Sequence, residues 1–367
     1  MSERSVPRAV VVLLGTAAGM ISLFGLREVA SILGPVVLAL VLVIAVSPVR
    51  AWLGRKGMPG WLQVALPFLI VVLVLLSMVA ILTVSVTQLA TLLPTYARQF
   101  QDLIHEAQRL AAGFGIGNEQ LNKALQSFDP GKILALAQGL LSSLLGVLSS
   151  LFLIVVLLLA MCLDAPITSR IIAAGHSERP GMVAALSTFA TKTRRYLIVS
   201  TVFGIICAAL DVGALYLLSV PLPLLWGVLA LITNYIPNIG FILGLIPPAI
   251  LALLDSGPKQ MILVIIAYCA INVVIQSSIQ PKFLGDAVGL STTMTFLSLI
   301  VWAFVLGPLG ALLAIPLSLL TRALLIDSDP SAKWAAALIS GEMPAETAEK
   351  PGKPSAAPAP APSSDKK

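Results

Sequence analysis

Six stretches of the chain are apolar almost without interruption: 9–26, 29–46, 62–87, 136–163, 196–219 and 259–280. A run of about 18 or more such residues can cross a hydrocarbon layer about 30 Å thick as one helix, so each predicts a membrane span. Two further segments, 222–254 and 291–326, are equally apolar but broken by proline and glycine. Six spans and two broken segments make an all-α polytopic membrane protein with about eight membrane segments. The first span follows Arg4 and Arg8. Its length, and the spans that follow at once, mark it as a retained signal anchor and not a cleaved signal peptide.

The broken segments carry the most information. In 222–254 the sequence "NYIPNIGFILGLIPP" (234–248) puts three prolines, two glycines and two asparagines inside a hydrophobic run. As a straight helix this segment would extend roughly 50 Å, too long for one crossing. Two full crossings need about 40 residues, more than it has. Pro237 removes an N–H and Gly240 permits a bend near its middle. Residues 291–326 echo the arrangement: "MTFLSLIVWAFVL" meets "GPLG" (307–310), and Ile315-Pro316 follows as Ile246-Pro247 does in the first segment. Each broken segment also follows a clean span, 196–219 or 259–280, which reads as an internal repeat. Two architectures fit. Each broken segment is a re-entrant hairpin, making an inverted repeat whose tips meet near the midplane, or each is one long kinked helix.

Charge supplies the orientation. The segment 47–61 carries Arg50, Arg55 and Lys56 without an acid, and 164–195 carries Arg170, Arg179, Lys192, Arg194 and Arg195 against Asp164 and Glu178. By the positive-inside rule both are cytoplasmic, and so are both termini. Segment 88–135 then lies outside. Tyr96, Phe100, Leu103, Ile104, Ala107 and Leu110 recur there at helical spacing, "GFGIGN" (113–118) breaks the run, and Asp129-Pro130 opens the next span. This predicts a hat of amphipathic helices, either a lid or contact surface or a linker packed on the bundle. The organisation is therefore 1–87, N-terminal spans; 88–135, extracytoplasmic amphipathic helices; 136–195, fourth span and cytoplasmic loop; 196–327, a core of two span-plus-broken-element repeats; and 328–367, a surface helix at "DPSAKW" and a Pro/Ala-rich disordered tail.

Composition agrees: 58% of residues are hydrophobic and 11% charged, and mean hydropathy is +0.98. A water-soluble domain cannot cover its surface with so few polar groups. The formal net charge of +6 sits in the connections between spans, so nucleic acid is not an expected partner. Membrane lipid is. Cys162, Cys207 and Cys269 stand apart in apolar runs, without CxxC spacing. No GxxxxGK[ST], HExxH or GxSxG occurs, and His105 and His176 lie outside the spans. The expectation is a non-enzyme with no cofactor and no metal, one that does not draw on ATP directly.

Few polar residues lie at membrane depth. Irregular backbone there is tolerated only against protein or a water-filled cavity, so the "NYIPNIG" turn, with Asn234, Pro237, Asn238 and Gly240, should face inward. Its amides either line a solute pathway or stitch the turn together. Asn272, Gln276 and Gln280 follow at i, i+4 and i+8 as a polar stripe. Such a stripe lines a pathway or glues helices. Asp211 is the one acid within the spans. It either binds H+ or Na+ as a coupling ion or, kept neutral, joins two helices.

The motif "NYIPNIGFILGLIPP" together with "PKFLGDAVGLSTTMTFLSLIVWAFVLGPLGALLAIPLSLL" (281–320) resembles the bacterial autoinducer-2 exporter family, the PerM-like permeases. "LLPTYARQF" and "SFDP" in the outer segment fit the same pattern, and the likeness runs over 8–327. The resemblance implies a homo-oligomeric inner-membrane permease that exports small molecules, with some members associated with autoinducer-2 efflux and others with Na+/H+ antiport. The family's Asn-x-Ile-Pro-x-x-Gly falls on Asn234, Ile236, Pro237 and Gly240. Its Pro-Lys/Arg-x-x-Gly falls on Pro281, Lys282 and Gly285, and its late Gly-x-x-Gly and Pro on Gly307, Gly310 and Pro316. Gln280 stands where members often have an acid, and Ser291-Thr292 where many have His-Pro. Both departures turn attention from that site to Asp211 for ion coupling.

The resulting expectation is a secondary transporter exporting a small polar solute by alternating access, with 234–240 and 307–310 as central site or gates. The alternatives are a cation–proton antiporter using Asp211 and a non-transporting membrane scaffold. Cysteine labelling separates the two topologies: hairpins expose position 255 to the outside and position 286 to the cytoplasm, and long kinked helices give the reverse.

Overall fold

The computed structural model describes residues 7–113, 130–237, 239–284, 289–328 and 339; every regular element among them is helical. Helices α1 (Arg8–Glu28), α2 (Ala30–Arg55), α3 (Gly60–Gly113), α4 (Pro130–Ala174) and α5 (Pro180–Leu217) come first. Stretches long and apolar enough to cross a membrane are Ala30–Arg55, Gly60–Leu92, Ser149–Ala174, Pro180–Leu217 and Pro258–Ile279. Their outward faces are apolar and exposed, as at Leu73, Phe152, Val202 and Ile266. That is the pattern of a surface covered by lipid.

The helices overshoot the boundaries that hydropathy marks. No glycine interrupts residues 61–112, and α3 runs through the amphipathic stretch without a break to Gly113. The outer segment thus begins as an extension of the third span and not as a separate helix laid on the bundle. The second short helix expected over 118–128 lies outside the described residues. Likewise 164–195 is helical apart from 175–179, and the 38-residue α5 is about 57 Å long. A change from apolar to polar side chains reports a change of solvent; it does not end a helix. "DPSAKW" and the tail also fall outside the described residues.

The first broken segment is a hairpin. Helix α6 (Pro223–Thr233) folds back along α5, with Gly227 against Val212 and the Ala208 carbonyl, and with Leu231 and Asn234 against Gly204. Small residues of this kind let membrane helices approach closely. After the turn at 234–239, α7 (Gly240–Ser256) returns beside α6. Gly244 lies against Ala230 and the Thr233 hydroxyl. At the far end Tyr96 donates to Asp255 at 2.8 Å, and Gln260 donates to the Leu218 carbonyl. Burial, and then the Asp255 carboxylate, push the Tyr96 phenol up to about 12. Helix α8 (Pro258–Asn272) then descends again, opens into a π-helical turn at Val273–Ile279 and ends in α9 (Gln280–Leu284).

The second broken segment is a hairpin too. Its arms are α10 (Thr292–Leu306) and, beyond Gly307 and the short α11 (Pro308–Leu312), α12 (Ala314–Arg322). Trp302 Nε1 donates across to Ser318 Oγ at 3.0 Å, and Arg322 closes the base on the Gly289 carbonyl at 2.6 Å. The chain beyond this base packs at the start of α5, where a Cβ on Gly181 would lie 3.4 Å from the Ser328 carbonyl. The first hairpin opens at the C-terminal end of α5 and the second at its N-terminal end. Of the two readings of the sequence, this is the inverted pair of hairpins.

Each hairpin turns on one glycine. A Cβ on Gly240 would drive into the Thr233 carbonyl, and one on Gly310 into the Trp302 carbonyl. In both, the return arm touches backbone that cannot move aside. Gly240→Ala and Gly310→Ala are each expected to cost about 1–3 kcal/mol or more, read as a lower melting temperature in detergent. Gly19→Ala, in a position with nothing within 4 Å, leaves it unchanged; equal melting of all three would refute the hairpin packing.

Candidate functional site at the first hairpin tip

The turn at 234–239 ends α6 inside the bundle, where its freed backbone groups need partners. Helix α5 supplies them. The Tyr196 hydroxyl donates to the Tyr235 carbonyl at 2.8 Å, and the Thr201 and Tyr235 hydroxyls meet at 2.6 Å. Asn234 Nδ2 donates to the Ser200 carbonyl at 2.8 Å. The last of these ties the tip to a position about midway along α5.

The other end of the Asn234 amide faces α8. Gln276 Nε2 donates to Asn234 Oδ1 at 2.7 Å, and Asn272 Nδ2 donates to Gln276 Oε1 at 2.6 Å. A continuous amide relay therefore runs from Asn272 through Gln276 and Asn234 to the α5 backbone. Gln276 lies within the π-helical turn. Bonds there reach five residues back instead of four, and such turns recur at functional sites. Gln280, at the start of α9, takes no part in the relay.

Beside the relay lies a cavity of about 20 Å3, lined among others by Asp211, Asn234, Tyr268, Asn272 and Gln276. It has room for about one water-sized particle. Asp211 is 5% exposed and Tyr268 3%. Both Asp211 Oδ1 and the Tyr268 hydroxyl are buried without a hydrogen-bond partner. Unpaired polar atoms at this depth are costly, and here two of them line one small cavity whose other polar lining residues are Thr233, Cys207 and the three amides Asn234, Asn272 and Gln276.

The hairpins thus bring together Asp211, Asn234, Asn272 and Gln276 out of the residues picked from sequence. Pro237 and Gly240 shape the turn, and Asn238 lies outside the described residues. Gly307, at φ +65°, and Gly310 shape the second tip, away from the cavity. That tip is apolar: Val305, Leu306 and Leu313 belong to a core cluster against which Tyr235 of the first tip packs. Sequence reasoning passed over Tyr268 and took Cys207 only for a lone cysteine in an apolar run, and both line the cavity. Each sits one helical turn before a residue it did select, Asn272 and Asp211, on the same helix face.

Comparison with known proteins gives the family. The model of the family described as AI-2E family transporter matches residues 10–327. The AI-2 transport protein TqsA of Escherichia coli (strain K12) is 31% identical over 313 residues, covering 85% of this chain and 90% of that protein. A putative transport protein of Haemophilus influenzae is 32% identical over 337 residues, covering 89% and 95%. The putative transport protein YhhT of Escherichia coli (strain K12) is 26% identical over 307 residues, covering 84% and 88%. With its family pattern spread over the whole bundle, this multi-pass membrane chain belongs to the AI-2E family of transporters.

Proposed function

We propose that the chain exports a small polar solute of the AI-2 type across the bacterial inner membrane by alternating access. Both termini are cytoplasmic in this reading, and several copies form a homo-oligomer. The observation that carries it is the amide relay Asn272–Gln276–Asn234 at the tip of the first hairpin. Amides offer donors and acceptors together, so they can trade their mutual bonds for bonds to a neutral polar solute at little net cost. Hairpins opening at opposite ends of α5 supply a gate toward each side of the membrane, at 234–240 and 307–310. The solute type follows the E. coli relative described as an AI-2 transport protein.

A second reading, a cation–proton antiporter, has one observation in its favour. Asp211 presents an unpartnered carboxylate oxygen beside a cavity sized for an ion or a water. A buried acid of this kind can exchange a proton for Na+ as the hairpin moves. The two readings join if Asp211 couples an ion gradient to solute export.

Reconstitution in liposomes with an imposed proton or Na+ gradient tests both. Asn234→Ala is expected to slow solute flux about tenfold through loss of the buried amide bonds. Ser278→Ala, which removes only an exposed hydroxyl bonded to its own helix, leaves flux unchanged. Asp211→Asn keeps downhill solute flux and abolishes its dependence on the gradient. A gradient dependence that survives this change removes Asp211 from coupling, and no flux under any condition counts against both readings.

A further inference from the structure

A second, larger cavity lies apart from the amide relay. It has a volume of about 450 Å3 and is walled by Ala80 and Val84 of α3 on one side and by Leu222 and Leu224 at the root of the first hairpin on the other. Ser85, Gln88 and Tyr216 are its polar lining residues. Three features converge here. The walls are apolar and lie within or beside the spans Gly60–Leu92 and Pro180–Leu217. The groove also opens onto side chains that lipid must cover: Val84 is 58% exposed, Leu224 53% and Leu217 89%. Finally, the hairpin root is held in left-handed backbone at Ser219, φ +54°, and Leu222, φ +58°. For leucine that conformation is a steric outlier, and such strain gathers at ligand clamps and moving elements.

The size selects the occupant. Measured in the same way as the small cavity beside the relay, which holds about one water-sized particle, the groove is about twenty times larger. That is too little for a helix of a second copy, whose diameter is about 10–12 Å. It is the size of one extended hydrocarbon chain, and six of its nine lining residues are apolar, with Ser85, Gln88 and Tyr216 as the polar ones. Gln88 and Tyr216 provide an amide and a phenol, the kind of group that meets lipid headgroup and glycerol oxygens.

We infer that this groove seats one acyl chain of a membrane phospholipid, packed against the strained root of the first hairpin. The chain is continuous with the lipid around the bundle, but it touches Leu222 and Leu224, where α6 begins. It therefore fills the space into which the hairpin root would relax.

Photolabelling of the full-length protein in nanodiscs, with phosphatidylcholine carrying a diazirine on its acyl chain, tests the site. Adducts are expected to concentrate on peptides covering 80–88 and 216–224, above the level on the lipid-facing stretch 198–206. Ala80→Phe with Val84→Phe fills the groove and should lower the adducts at 216–224 about tenfold, with labelling at 198–206 unchanged as the sign of an intact bundle. Val84→Leu alone, a milder change that preserves folding, gives a partial fall. Equal labelling of groove and lipid-facing stretch would overturn the inference. So would labelling indifferent to either variant, or crosslinks joining residues 84 and 224 of two copies.

Discussion

Everything in this fold answers to the cost of unpaired backbone in hydrocarbon. A helix that stops inside a membrane leaves carbonyl and amide groups with no water to turn to. The chain stops two helices within the bundle, at Thr233 and at Leu306, and provides for each differently. The first tip is anchored to α5 by the Tyr196 and Thr201 hydroxyls and by the Ser200 carbonyl, which accepts from the tip's own Asn234 amide. The second uses almost no polar side chains. Gly307 turns the backbone, Gly310 sits against the Trp302 carbonyl, and apolar packing closes the rest.

That difference breaks the symmetry of an otherwise matched pair. Both hairpins need a glycine where the return arm meets a carbonyl of the first arm, and both open beside a preceding helix. Only the first has side chains that can exchange partners. Asn234 bonds to α5 on one side and to the π-helical turn that follows α8 on the other, so movement of either element is felt at the tip. The second hairpin is sealed in a cluster that includes Val37 and Val41 of α2 and Phe189 and Leu197 of α5, so its movement is tied to apolar packing against those helices and not to an exchange of amide bonds.

The pattern of apolar residues made the membrane class and the two interruptions legible because hydrocarbon thickness is a hard limit. No residue pattern satisfies 222–254 as one straight crossing, so a bend at Pro237 and Gly240 follows from length alone. The choice between kink and hairpin was not legible, since it depends on Gly240 meeting the Thr233 carbonyl across the turn. Helix ends were also hidden: α3 and α5 continue into polar sequence because helices are as stable in water as the packing around them allows. The polar stripe reads as regular in the sequence, but the helix carries a π-helical turn at Val273–Ile279, in which Gln276 meets Asn234, while Gln280 begins the next element and is not part of the relay. Tyr268 passed unseen because a tyrosine in an apolar run looks like core until an acid on another helix is found beside the same cavity.

The size of that cavity constrains any mechanism built on it. At about 20 Å3 it admits one water-sized particle and no organic solute. A solute passing this point must open the relay, which means parting Asn234 from Gln276 or from the Ser200 carbonyl. Side-chain bonds of this kind between membrane helices are worth about 0.6–2 kcal/mol each, so opening one or two costs only a few kcal/mol. A cost of that size leaves the open form a minor but accessible state, which is what a gate requires. Tyr235 is not among the residues lining the cavity, and its contacts with the Tyr196 and Thr201 hydroxyls are separate from the amide relay. They can stay intact while the amides part, so the tip can pivot on Tyr235 without ever exposing its backbone to lipid.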